Sequence, residues 1–306
     1  MPLLPRSRTQ TPPVEEVKQF FLRKGELPTF PAVAAEFMEL AQNPYASVLQ
    51  IAGCVERDPA LAAKTLKLAN SAYIGYARQV SSIRDAIVLL GLREMRALVL
   101  TISVFRAFGD LQKSIPPVWE AYWVHSLAVA QTARRLAKHL GIKDAEQAYL
   151  AGLLHDVGKL LYYLYDAPRY LAALERQQTT GGSLLEIERA TFGNCHPELG
   201  CWLLELWNFP PALAEAVLYH ETPELADQSM MLVGLIALSE QLSKAQGLGV
   251  GEQLTVDAVA LEQSHAWRLL AYNHPRLAET DINTFMRELV DLTGQVRAAL
   301  VEMKLV

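Results

Sequence analysis

The chain has 306 residues, of which 51% are hydrophobic and 20% are charged, so it has enough apolar sequence for one large or two ordinary globular domains. The formal net charge is -5 and the basic residues are scattered, which argues against DNA or RNA as a direct partner.

Cysteine usage and the N-terminal sequence bear on the compartment. The three cysteines, Cys54, Cys195 and Cys201, are too few for a disulfide scaffold and form no CxxC pair. Residues 1–13 lack the apolar core of roughly 7 to 15 residues that a signal peptide needs, and no stretch reaches the roughly 18 apolar residues of a membrane span. We therefore expect a soluble, cytoplasmic protein with no membrane partner.

The first third of the chain predicts helices. VEEVKQFFLR predicts one short helix, and five segments from AVAAEFMELAQ to LREMRALVLTISVFRAF carry apolar residues three and four positions apart. We expect them to form a bundle. Asp58, which precedes Pro59, is expected to cap a helix, and Asn70 is expected to end that helix in a left-handed turn.

A second set of helices follows Pro116 and Pro117. It opens with VWEAYWVHSLAVAQTARRLAKHLG, whose water-facing side is expected to carry Arg134, Arg135 and Lys138. Helical periodicity continues through SMMLVGLIALSEQLSKAQG and predicts about three more helices after Gly251. No strand pattern competes, so the sequence predicts an all-α fold.

Polar residues interrupt an apolar helix in the stretch YLAGLLHDVGKLLYY. The pattern predicts an amphipathic helix that runs into His155 and Asp156, near a helix end that Gly158 permits. Imidazole and carboxylate groups there can share a metal ion, and they suit zinc, iron, manganese or nickel better than calcium. A turn in which both groups are solvated is the alternative.

Other ligand-type residues open or interrupt apolar helices elsewhere. They are His125, His196, His220 and Glu240. Taken singly, a histidine on an apolar helix is usually a satisfied core or rim residue. Together with His155 and Asp156, these residues are what an all-helical pocket for one or two metal ions requires.

Two sets of sequence blocks resemble known families. HSLAVAQTARRLA, AGLLHDVGKL, HPELGCWLLELW and YHE resemble the HD superfamily of metal-dependent phosphohydrolases, in a layout similar to its HD-GYP branch. LPTFPAV, VERDPALAAKTLKLANSAYIG and VSSIRDAIVLLGLREMRALVL resemble the N-terminal bundle of the HDOD family, the HD-related output domain of bacterial signalling proteins. The resemblance covers roughly residues 25–245.

This resemblance implies how the chain is organised. Residues 1–24 would be a tail and short helix, and residues 25–245 would be the HDOD domain. Within that domain, an N-terminal bundle (25–112) would pack through LREMRALVLTISVF on an HD-like half (113–245) that holds the metal pocket. Residues 246–306 would form a C-terminal helical extension.

The resemblance also implies site residues and a cofactor. The metal ligands would be His125, His155 and Asp156, with His196 and His220 for a second ion and Glu240 in place of a late aspartate. The cofactor would be one or two divalent ions of iron, manganese, zinc or nickel. Asp156 and Lys159 would be the catalytic residues, with Lys159 facing a substrate phosphate; a solvated lysine at a helix C-terminus is the alternative.

Two departures from the HD-GYP pattern limit the activity. Tyr219 stands where that pattern has a histidine, and the GYP loop is missing, so hydrolysis of cyclic di-GMP is not expected. Two functions stay open. One is a non-catalytic output or adaptor module with a signalling protein as its partner; the other is a metal-dependent phosphohydrolase acting on a nucleotide or another phosphate ester.

Overall fold

The computed structural model describes residues 13–71, 73–75, 77–248, 258–277, 279–280, 282 and 294–301. Over these residues the chain contains no β-strand, which confirms the predicted all-α fold. The α-helices are α1 (Pro13–Lys24), α2 (Ala32–Gln42), α3 (Val48–Glu56), α4 (Pro59–Ala69), α5 (Ile83–Leu90), α6 (Leu92–Ala107), α7 (Leu111–Ser114), α8 (Pro116–His139), α9 (Ala145–Leu154), α10 (Val157–Thr180), α11 (Leu184–Phe192), α12 (His196–Leu206), α13 (Pro211–Tyr219), α14 (Met230–Ala245), α15 (Ala258–Glu262) and α16 (His265–Asn273). Short 3-10 helices lie at Pro223–Leu225 and Pro275–Leu277, and residues 294–301 are also helical.

Polar side chains fix where three helices of the N-terminal bundle, α2–α6, begin. Ser47, Asp58 and Ser82 each accept a hydrogen bond from the backbone N–H three residues later, at 3.2, 3.0 and 3.0 Å respectively. Such a cap satisfies one of the free amides of the first helical turn and stabilises a helix by about 1 kcal/mol. The predicted role of Asp58 as a cap is confirmed.

The end of α4 differs from the prediction. Asn70 has right-handed backbone angles (φ −90°, ψ −1°), so the predicted left-handed turn is wrong. Its side chain instead donates to the carbonyl of Val80 at 2.9 Å and accepts from the Val80 amide at 2.7 Å. Asn70 therefore pins the loop between α4 and α5, because its amide pairs with both backbone groups of one residue.

Helix α6 joins the N-terminal bundle to the rest of the chain. Every residue from Ala97 to Phe105 is buried. The Phe105 ring stacks on Trp123 of α8 with 3.6 Å between centroids, and the hydroxyls of Thr101 and Tyr149 lie 3.0 Å apart. The bundle thus packs on the second half through α6, the segment expected to make this contact.

A partly buried ion triad lies at the same contact. Arg134 of α8 donates to Glu94 of α6 and to Glu146 of α9, both at 2.6 Å, and its guanidinium lies 4.1 Å from the Tyr149 ring centroid. The prediction that Arg134 faces water is wrong, since two carboxylates and an aromatic ring compensate for its lost hydration. Lys138, four residues on, is exposed as expected.

The second half is a core of α8, α9, α10, α12, α13 and α14. Helix α8 packs along α9 and α14, and α12 packs between α10 and α13. Helix α10 is kinked at Asp166 (φ −157°, ψ 79°), two residues before Pro168. Helix α1 contacts α10 and α11, and α16 contacts α14. The predicted last helix, DINTFMRELVDLTGQVRAALVEM, lies largely outside the described residues.

Two further expectations concern the whole chain. In the part of the chain that the structure describes, no helix is both long and apolar enough to span a membrane. Cys54, Cys195 and Cys201 are free thiols, in agreement with the expectation that the chain is not a disulfide scaffold.

Candidate metal centre

His155 and Asp156 occupy the break between two helices. Helix α9 ends at Leu154 and α10 begins at Val157, so the break falls on the pair itself. The predicted helix end near the pair is present, but Gly158 does not form it, because Gly158 lies in the first turn of α10. Residues 148–163 are all buried, so the predicted amphipathic helix is in fact enclosed on every side.

Several helices each contribute a donor at this break. The residues are His125 in the middle of α8, His155 and Asp156 between α9 and α10, His196 at the start of α12, His220 directly after α13, and Glu240 in α14. Their burial is nearly complete, with no more than 2% of any of these residues exposed. The structure therefore brings together all six residues proposed as metal ligands from the sequence; their role as ligands stays a prediction.

Four of the residues form one donor group around a single carboxylate oxygen of Asp156. His125 Nε2 and His155 Nε2 lie 3.5 and 3.4 Å from Asp156 Oδ2, and 3.2 Å from each other. Glu240 Oε1 lies 3.9 Å from His155 Nε2. Ligands bound to one ion at roughly 2.0 to 2.2 Å are about 3 to 4 Å apart, so this spacing fits a transition-metal site.

A second donor group uses the other oxygen of Asp156. His196 Nε2 lies 3.2 Å and His220 Nε2 lies 3.7 Å from Asp156 Oδ1. The buried atoms Asp156 Oδ1, His196 Nε2 and His220 Nε2 have no hydrogen-bond partner among the described residues. Buried polar atoms are normally paired, so their convergence is itself evidence that the donors suit a cation. Asp156 belongs to both groups.

The Nδ1 atoms of His155, His196 and His220, which point away from the pocket, each contact a hydrogen-bond acceptor. His155 Nδ1 lies 2.7 Å from the Gly152 carbonyl, and His220 Nδ1 lies 2.7 Å from the Val217 carbonyl. A carbonyl can only accept, so Nδ1 carries the proton and Nε2 offers its lone pair to the pocket. This arrangement orients metal-binding histidines in general and selects the tautomer that can bind.

His196 has a stronger outer partner, which the sequence reasoning missed. Glu188 Oε2 lies 2.7 Å from His196 Nδ1 and accepts from the His196 amide at 2.8 Å, while Glu188 Oε1 accepts from the Tyr170 hydroxyl at 2.9 Å. A signal was present in the sequence, because Glu188 stands on the apolar stripe of α11. That stripe consists of Leu184, Ile187, Glu188 and Phe192, all buried.

Two buried lysines pair with the carboxylates of the pocket. Lys159 Nζ lies 2.7 Å from Asp156 Oδ2, and Lys159 is 3% exposed, so the alternative of a solvated lysine is wrong. Lys244, which the sequence reasoning missed, lies 2.8 Å from Glu240 Oε1 and 3.0 Å from Glu221 Oε1. Glu221, His220 and Glu240 make a third group of possible metal ligands at the edge of the pocket.

The charges of the pocket set the pKa values. Burial would raise the pKa of both carboxyl groups, but His155 and Lys159 hold the pKa of Asp156 well below its usual value. Lys244 is the main cause that lowers the pKa of Glu240 to about 2. Burial would likewise lower the pKa of His196, but the Glu188 carboxylate raises it to about 9. The carboxylates of Asp156 and Glu240 therefore stay ionised and able to bind a cation, whereas a metal ion must displace a proton to bind His196.

Comparison with known proteins gives a family. The model of the HDOD domain matches residues 27–223. An uncharacterised protein of Treponema pallidum is 25% identical over 223 residues, which cover 71% of this chain and 42% of that protein. The chain therefore spans less than half the length of this curated relative.

Solved structures share the fold. An HDOD domain protein of unknown function from Geobacter sulfurreducens superposes with a TM-score of 0.76 at 25% identity, covering 94% of this chain and 97% of that chain. A protein from Shewanella amazonensis, provisionally named a phosphohydrolase, superposes with a TM-score of 0.70 at 24% identity, covering 96% and 99%. The arrangement of helices is thus that of a solved HDOD structure over 94% of this chain.

Proposed function

This chain belongs to the HDOD family, and we propose that it is a signal-transduction output or adaptor module that keeps an HD-like metal-binding pocket. The observation that carries the proposal is the enclosed set of six donors, which is too costly to bury unless a cation or partner groups compensate for it. The partner would be a signalling protein that contacts the N-terminal bundle.

The charge of the pocket favours one divalent ion when the histidines are neutral. The pocket holds four carboxylates, those of Asp156, Glu188, Glu221 and Glu240, and two ammonium groups, those of Lys159 and Lys244, which leaves two negative charges. One divalent ion balances them. A second ion, held by the shared Asp156, would need an additional anion such as hydroxide or a phosphate group. Iron, manganese, zinc and nickel all suit this donor set.

Helix α9 supplies a physical route between the pocket and the N-terminal bundle. One end carries Glu146, which pairs with Arg134, and the other end leads directly into His155. Tyr149, between them, contacts Thr101 of α6. We propose that metal occupancy is sensed across this contact, with residues 25–112 as the partner-binding half, residues 113–245 as the metal-binding half and residues 246–306 as an extension.

A metal-dependent phosphohydrolase is the second candidate, and Lys159 is the observation that favours it. Its ammonium lies beside Asp156, where it could pair with a phosphate group of a nucleotide or another ester. When bound, a metal ion would supply an activated water and polarise a phosphoryl oxygen. Burial of every donor argues against this candidate, because a substrate has no access in this conformation.

One experiment separates the two candidates. The full chain, loaded with Mn²⁺ or Fe²⁺, is assayed against nucleoside phosphates, cyclic di-GMP and a chromogenic phosphate ester, and its amide hydrogen exchange is compared with that of the metal-free chain. If the chain is an adaptor, we expect no turnover of any substrate, and we expect metal binding to slow amide hydrogen exchange in α9 and α6. Turnover that Asp156→Asn abolishes would support the phosphohydrolase instead. If metal causes no turnover and no change in amide hydrogen exchange, both candidate functions are contradicted.

A further inference from the structure

We propose that Lys244 is a built-in cation that closes the outer edge of the metal pocket and controls how fast a metal ion enters and leaves. The inference rests on the proposed metal-binding function and concerns the third donor group, His220, Glu221 and Glu240.

The buried donors need a route by which a metal ion can reach them. The inner donors are shielded from solvent, with 0% of the side chains of Asp156, His155 and His220 exposed. A hydrated ion cannot reach them in this conformation. Of the charged side chains that contact the donors, Glu221 is the most open, with 24% of its side chain exposed. Because a carboxylate oxygen of Glu221 lies within 4.8 Å of donor atoms of His220 and Glu240, Glu221 leads from solvent to the inner ligands.

Lys244 holds the position that an entering ion would need. Its ammonium lies between the carboxylates of Glu221, at 3.0 Å, and Glu240, at 2.8 Å. Those two carboxylates and His220 offer atoms that all lie within 4.8 Å of one another, which is close enough to hold a cation themselves. An ammonium group and a divalent ion repel each other at such a distance, so only one can occupy this position.

The buried Nε2 atom of His220 connects this outer edge to the second inner donor group. His220 Nε2 is buried and has no hydrogen-bond partner among the described residues, and it lies 3.8 Å from Glu240 Oε2. An ion at the outer position would gain this nitrogen as a ligand.

The proposed gate opens by rotation of the Lys244 side chain. Lys244 stands in the last turn of α14, which ends at Ala245, and its four-carbon stem can rotate without moving the helix. Turning toward Glu221 takes the ammonium to the exposed edge while it keeps one carboxylate partner. Lys159 differs in this respect, because its partner Asp156 is fully buried. Lys244 therefore gates the pocket, and Lys159 stays inside it.

The test measures metal exchange and not turnover. The full chain is loaded with Co²⁺, which has ligand preferences close to those of the other candidate ions and absorbs visible light, and release is followed after adding excess EDTA. Lys244→Met keeps the stem and removes the charge, and it is expected to release Co²⁺ at least tenfold faster than the wild type. Lys244→Arg keeps a cation and should stay close to the wild-type rate. Lys138→Met, on the exposed side of α8, should have no effect.

A second variant keeps the test decisive if Lys244→Met does not fold. Glu221→Gln removes the outward partner, so the ammonium stays on Glu240 and release should slow several-fold. If folded Lys244→Met releases Co²⁺ at the wild-type rate, Lys244 is not a gate. The same conclusion follows from wild-type release in Glu221→Gln if that is the only variant that folds. Neither result contradicts the proposed metal-binding function. A wild-type chain that binds no Co²⁺ overturns both.

Discussion

Gly158 packs directly against the backbone of His196. A Cβ atom on Gly158 would lie 1.9 Å from the His196 carbonyl oxygen and 2.8 Å from the amide nitrogen of Gly200. Real Cβ atoms do not approach backbone atoms so closely, so only glycine lets α10 and α12 come this near. This contact places His196 beside Asp156, which precedes Gly158 by two residues.

Replacing Gly158 by alanine should displace α12 and separate the two donors. We expect Gly158→Ala to destabilise the fold by several kcal/mol, since both backbone segments would have to shift, and to abolish binding at the His196 group. Thermal unfolding and metal titration of the variant measure both effects. Gly53→Ala in α3 is the matched control, because nothing lies within 4 Å of its added Cβ, and it should be neutral or stabilise the helix by about 0.5 to 1 kcal/mol. Equal stability of Gly158→Ala and the wild type would contradict the contact.

The helices and the convergence of the six proposed ligands were predictable from the sequence, because a helix has a local signal and the six residues are carried by motifs. Apolar periodicity defines a helix within its own segment, and His155 and Asp156 stand out as polar residues in an apolar run. Partners contributed by distant helices were not predictable in this way. Arg134 looks like a surface residue until Glu94 of α6 and Glu146 of α9 are brought to it.

Glu188 should hold the His196 imidazole in the orientation that binds metal. Changing Glu188 to glutamine removes the negative charge from Nδ1, so the affinity of the pocket for Zn²⁺ should fall about 10- to 100-fold, as second-sphere changes do at other sites. Competition with a chromogenic chelator measures that affinity. Glu186→Gln alters an exposed glutamate on the same helix and should leave the affinity unchanged. Equal affinities for the two variants would contradict the role of Glu188.

The triad around Arg134 should stabilise the contact between the two halves. Arg134→Ala removes the partner of the partly buried Glu94 and Glu146 carboxylates, which should cost about 1.5 to 3 kcal/mol in the free energy of unfolding. Chemical denaturation measures this loss. Lys138→Ala, one turn along α8, should change stability by less than about 0.5 kcal/mol because Lys138 is exposed. A loss no larger for Arg134→Ala than for Lys138→Ala would show that the triad does not hold the halves together.

The N-terminal bundle should be required for the second half to fold. Deletion of residues 1–110 removes Phe105 and Thr101, and it exposes the rings of Trp119, Trp123 and Tyr149 to water. An exposed apolar surface of that kind favours aggregation, so the truncated chain should be insoluble or should unfold without a cooperative transition. Size-exclusion chromatography and circular dichroism test this. A monomeric truncated chain that unfolds cooperatively would show that the bundle is dispensable for folding.

Metal content tests the central claim most directly. The full chain and Asp156→Asn are purified without added metal, incubated with Mn²⁺, Fe²⁺, Zn²⁺ or Ni²⁺, freed of unbound ions by gel filtration and analysed by elemental mass spectrometry. Because Asp156 is shared by both inner donor groups, the wild type should retain about one ion per chain and the variant less than about a tenth of that. Circular dichroism confirms that the variant is folded. A folded wild-type chain that retains none of the four ions would contradict the proposed metal centre.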